Sequence, residues 1–154
     1  MSTVSNVETH AAEIASTSLH PEAAIRLARA LSAISAEFDA VMAEGIDRLR
    51  HLREALEAED SGAGLNADLR QAVEAARRDG NHLGHPMISD IAASLATILD
   101  AWRGATLPLD IIDAHIETMD AVLTDAGLKP GDAAAQVADL AAAAADYVAA
   151  ARHD

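Results

Sequence analysis

Apolar residues recur along most of this chain in steps of three and four, the period of one face of an α-helix. A first stripe runs through Leu27, Leu31, Ile34, Phe38, Val41, Leu49, Leu52 and Leu56, with Gly45 inside it as a bend or split. Pro21 suits the first turn of that helix. Asp60 to Gly64 reads as a loop from its turn residues. Leu65, Leu69, Ala72, Val73 and Ala76 then form the inner face of a second helix, which Gly80, Asn81 and Gly84 break. Pro86 starts a third, with Ile88, Ile91, Leu95, Ile98 and Trp102 on one face and Gly104 as its stop. Pro108 opens a fourth, carrying Ile112, Ile116, Met119 and Leu123, with Gly127 behind it. Pro130-Gly131-Asp132 reads as a turn with Asp132 as cap. The last helix holds Val137, Leu140, Ala144, Tyr147 and Val148.

Five helices with short connections predict an antiparallel bundle. Ile91, Leu95, Ile98, Ile116, Met119 and Val137 are its expected core, and Trp102 and Tyr147 also read as core. Met42, Met87 and Met119 are gap-fillers. Residues 1–20 are rich in Ser and Thr and read as a mobile tail; residues 21–154 read as one domain.

Composition narrows the function. The hydrophobic share is 51%, much of it Ala, and aromatics are 2%. That favours closely packed helices over sheets, which want β-branched and aromatic residues. The net charge of −14 argues against nucleic acid as a partner, since phosphate binding needs a basic surface. There is no Cys, hence no disulfide framework and no thiolate chemistry, and no apolar run suits a membrane or a signal peptide. A cytoplasmic protein is expected.

One segment carries more specific information: Val73-Glu74-Ala75-Ala76-Arg77-Arg78-Asp79-Gly80-Asn81-His82-Leu83-Gly84-His85-Pro86. It resembles the signature of histidine phosphotransfer (HPt) domains. There a helix carries His, a basic residue three positions on, small residues, an apolar residue nine on and Gly ten on. Here Arg77, Gly80, Leu83 and Gly84 match, and Glu74 stands at the phosphoacceptor position. The resemblance extends from Phe38 to Leu123 and is nearest the phosphotransfer domain of chemotaxis-type histidine kinases. It implies a four-helix bundle of HPt type with an additional helix, acting in two-component signalling.

The departures from the family decide what the chemistry can be. A neutral imidazole nitrogen is a good nucleophile at neutral pH; Glu74 has none. A carboxylate on an exposed helix would have no Mg²⁺ site to activate it. Arg78 stands where the family has Gly, and Asp79 where it prefers a small residue. On a helical projection Glu74 lies opposite the apolar face, with Arg70, Arg77 and Arg78 within three or four residues on the solvent side. Such a ladder is ordinarily just a solvated helix face; the surrounding motif makes it a relict docking face.

The expected role is a binding module that docks a receiver domain or histidine kinase without accepting phosphate. Its contact residues would be Arg70, Glu74, Arg77, Arg78, His82 and Gly84. No enzyme, cofactor or metal is expected: His82 and His85 form too weak a pair, and no Glu-x-x-His pairs recur. His10, His20, His51 and His153 read as exposed or mobile, and His115 as packed. Two alternatives remain: phosphotransfer through His82 or His85, and a structural protein whose long first helix drives self-association into a homo-oligomer.

Overall fold

The computed structural model describes residues 20–58, 63–102, 108–125 and 129–153. All five described elements are helices: α1 (Pro21–Ala58), α2 (Ala63–His82), α3 (Pro86–Ala101), α4 (Leu109–Thr124) and α5 (Pro130–Ala151). No strand occurs among the described residues. The chain divides into two compact units, Met1–Val41 and Met42–Asp154.

The larger unit is a helical bundle centred on α3. Helix α2 packs on α3, α3 on α4 and α5, and α4 on α5. Polar contacts give the directions. Ser89 donates to the Arg77 carbonyl at 2.8 Å, while Arg70 reaches Asp100 at 2.8 Å, so α2 and α3 run antiparallel. Arg53 meets Asp113 at 2.5 Å and Arg50 meets Asp120 at 3.7 Å, which sets residues 47–58 of α1 antiparallel to α4. The four helices share one apolar cluster: Met42, Ile46 and Leu49 of α1; Leu69, Ala72, Val73 and Ala76 of α2; Ile88, Ile91, Ala92, Leu95 and Leu99 of α3; Ile112, Ile116 and Met119 of α4. Each fully buried Leu or Ile side chain there contributes roughly 1.5–3 kcal/mol relative to exposure.

Most of the expected core is buried: Ile91, Leu95, Ile98, Ile116 and Met119 are at most 2% exposed. Val137 is not among them. It is half-buried, because α5 presents small side chains inward, Ala133 and Ala144 being its buried residues. Trp102 and Tyr147 are also only half-buried. Trp102 sits at the C-cap of α3, where its N–H donates to the Ile98 carbonyl at 3.0 Å.

Several predicted breaks are helical instead. Helix α1 runs through Gly45 without interruption. Gly64 lies in the first turn of α2, and Gly80 and Asn81 lie in its last turns. Neighbouring residues that want the helix carry isolated glycines along, at a cost of about 1 kcal/mol each against Ala. Pro130, Gly131 and Asp132 are the first turn of α5, not a turn preceding it. Lys129 is the N-cap and makes no side-chain cap hydrogen bond. Asp132 acts as an acidic residue near the positive end of the helix dipole. Pro86 at the start of α3 is as expected, and α4 begins just after Pro108. Residues 1–19 of the expected tail, the Asp60 to Gly62 part of the first loop, Gly104 and Gly127 lie outside the described residues.

In the smaller unit, the described residues are the N-terminal part of α1. Ile25, Leu27, Ile34, Phe38 and Val41 are all exposed there, between 36% and 53%.

No described helix is long and apolar enough to cross a membrane.

Candidate functional site

The motif segment occupies the second half of α2 and the turn into α3. Its inner face forms because Leu69, Ala72, Val73 and Ala76 repeat at helical spacing, and all four are at most 4% exposed. That register turns Glu74 outward, as expected, with its side chain 58% exposed. Glu74 pairs with Arg77 at 3.7 Å, one turn along the same face. Such an exposed pair contributes about 0.3–0.5 kcal/mol and leaves both groups accessible.

The rest of the expected ladder is not formed. Arg70 is half-buried and turned toward the end of α3, where it donates to Asp100 and to the Leu99 carbonyl. The two last carbonyl turns of a helix are an electronegative site, and a guanidinium with a fork of donors suits them. Arg70 therefore fastens α2 to α3 rather than standing beside Glu74. Arg78 turns to its neighbour Asp79 at 3.2 Å. The exposed face near Glu74 thus consists of Glu74, Arg77 and Arg78, with His82 exposed one turn beyond Arg78.

Two glycines shape the end of this face. Gly84 has φ 83°, in the left-handed region that favours glycine. The His85 N–H donates to the Gly80 carbonyl at 2.8 Å, which closes the helix end in Schellman fashion. Gly80 lies where α2 crosses the start of α3. A Cβ built on it would stand 2.9 Å from the backbone nitrogen of Ser89 and 3.1 Å from the His85 carbonyl oxygen. His85 is the half-buried N-cap of α3. The matching glycines are therefore explained by the tight passage from α2 to α3, and Ser89 reinforces it through the Arg77 carbonyl.

The bundle also contains a polar pair that sequence reasoning did not find. His115 on α4 is fully buried. Its Nδ1 donates to the Ile111 carbonyl at 2.7 Å, and its Nε2 accepts from the Ser94 hydroxyl of α3 at 3.0 Å. The neutral Nδ1–H tautomer satisfies both bonds. Burial lowers its pKa below 6.5, partly offset by the hydrogen bond to Ile111. The pair joins α3 to α4 inside the bundle; its partners lie twenty-one residues apart, a separation that no local pattern announces.

Arg53, whose side chain is largely buried, makes a second bridge between helices. Its fork reaches Glu57 on its own helix and Asp113 on α4. Among the described residues, no group of three or more His, Asp or Glu side chains is gathered as a metal site would need. His20, His51 and His153 are exposed, as expected, and His10 lies outside the described residues.

A scan against protein-family models, a search of curated proteins and a search of solved structures each found no match.

Proposed function

We propose that this chain is an HPt-like bundle whose phosphoacceptor position is held by Glu74. It docks a receiver domain or a histidine kinase without accepting phosphate. The observation that carries the reading is the position of Glu74: outward on a bundle helix, beside Arg77, ten residues before the left-handed Gly84 that ends the helix. A docking face for a receiver needs accessible charge on a rigid element, and Glu74, Arg77 and Arg78 supply it on α2. The carboxylate cannot replace the imidazole nitrogen that takes up the phosphoryl group. Binding without turnover would sequester or scaffold the partner.

Arg70 is not part of this face, because its guanidinium is engaged by Asp100 and the Leu99 carbonyl. His82 remains at the rim, and Gly84 acts through the backbone.

The test is incubation with a phosphorylated receiver or kinase, followed by mapping of acid-labile phosphate and measurement of binding. Binding without label is expected, with Arg77→Glu plus Arg78→Glu weakening it. Glu74→His together with Arg78→Gly should begin to take up phosphate, and Glu74→His alone should take up less. Label on His82 or His85 of the unaltered chain would replace this reading with active phosphotransfer. Failure to bind any receiver or kinase would remove it.

A further inference from the structure

The bundle accounts for the apolar residues of α1 from Met42 onward; before it, Leu27, Ile34, Phe38 and Val41 are exposed and Ala24 and Leu31 only half-buried. Their spacing is informative. Ala24, Leu27, Leu31, Ile34, Phe38 and Val41 alternate steps of three and four without exception. That is the 3.5-residue repeat of a two-helix seam, with Ala24, Leu31 and Phe38 at one core position and Leu27, Ile34 and Val41 at the other. Residues 21–41 span about 30 Å of helix, some six turns.

Charge and size choose the partner. In an antiparallel pairing of two copies, each first-position residue meets a second-position residue of the other. Ala24 then faces Val41, Leu27 faces Phe38, and Leu31 faces Ile34, so small side chains meet larger ones at the ends. The same register sets Glu37, at a flank position of one helix, on the side of the other from which Arg26 projects one position further out, within reach of its long side chain, and twofold symmetry makes the contact twice. Arg26 is available for this: its own-helix pair with Glu22 is long, 3.7 Å, and both side chains are more than 70% exposed. The remaining flank positions, Ala23, Ala28, Ala30 and Ser35, are small and let the helices approach. A parallel pairing would instead set Ala24 against Ala24 and Glu37 against Met42, with no charge complement.

We infer that residues 24–41 of α1 form an antiparallel two-helix contact with the same segment of a second copy of this chain. A self-complementary surface of this kind closes as a twofold dimer.

Sedimentation equilibrium on the full chain tests it, with circular dichroism as a check on folding. The expected result is a monomer–dimer equilibrium. Leu31→Asp with Ile34→Asp should give a monomer whose bundle unfolds at an unchanged temperature. Glu37→Arg should weaken the dimer roughly threefold to tenfold, since exposed pairs contribute little each, and adding Arg26→Glu should restore it. The chain lacks Cys, so orientation can be read by cross-linking. Ala24→Cys mixed with Val41→Cys should cross-link between copies, and neither alone should. Self-cross-linking of Ala24→Cys would overturn the antiparallel register. A monomer at all concentrations would overturn the proposal, and if the double Asp variant of that monomer also lost stability, the seam would belong to another segment of the same chain.

Discussion

Helix α1 contains two stretches of similar apolar content and opposite fate. Between Met42 and Ala58 its stripe is covered: Met42, Ile46 and Leu49 are at most 1% exposed and join a cluster with three other helices. Between Pro21 and Val41 a stripe as regular as the first is open, and Phe38 and Ile34 are 37% and 45% exposed. Helical periodicity is the same in both. What differs is whether complementary faces are present. Amphipathic spacing states that a face can be buried; it does not state by what.

The largest test of this contrast is a pair of identical truncations. Ile46→Ala should destabilise the bundle by about 2–5 kcal/mol, because a buried side chain leaves both lost burial and a cavity. Ile34→Ala should change stability by under ~0.5 kcal/mol in dilute protein, as at other uncovered surface sites. Urea unfolding of both variants decides it. Equal costs would mean that the two stretches are equally covered.

Gly80→Ala asks how tightly the covered region is packed. The new Cβ would meet backbone atoms of Ser89 and His85, which cannot turn aside as a flexible side chain can. A loss of about 1–3 kcal/mol is expected from this overpacking, again by urea unfolding. A neutral result would show that α2 and α3 can part without cost.

His115 gives the covered interior a pH dependence. Its folded pKa lies below the unfolded value of 6.5, so below pH 6.5 the unfolded chain binds a proton that the folded chain resists. Stability should therefore be independent of this group above pH 6.5 and fall as pH drops from 6.5 toward the folded pKa. The slope is at most about 1.4 kcal/mol per pH unit for one proton. Thermal unfolding against pH should show the fall in the native chain and a shallower one in His115→Gln.

The smallest expected effect lies near the border of the two stretches. A Cβ on Gly45 would meet nothing within 4 Å, and the residue is helical. Gly45→Ala should stabilise α1 by about 0.5–1 kcal/mol, seen as a raised urea midpoint. Destabilisation there would show that the helix uses its glycine.

The inner face of α2 and the outward position of Glu74 were legible because both follow from 3.6-residue periodicity within one helix. So were the starts of α3 and α4, which proline marks. Arg70 was misread because its true partners, Asp100 and the Leu99 carbonyl, lie about thirty residues away. Projection on one helix cannot see a neighbour. Gly45, Gly64 and Gly80 were misread because packing and flanking helix formers override the local preference of a single glycine. The Ser94–His115 bond was invisible for the reason that hid Arg70. Its hint was a histidine beside an apolar stripe, which signals burial and not the partner.

The left-handed turn at Gly84 also bears on the order in which the chain assembles. It joins α2 to α3 through three residues, so contacts such as Ser89 to Arg77 close a separation of only twelve. The clasp of Arg53 on Asp113 closes one of sixty. Loop-closure entropy grows with separation, and local contacts form first in small helical domains. The α2–α3 hairpin is thus the expected folding nucleus, and the docking of α1 against α4 the late step. On the reverse path α1 should release first, leaving the helix that bears Glu74 as the last part of the bundle to come apart.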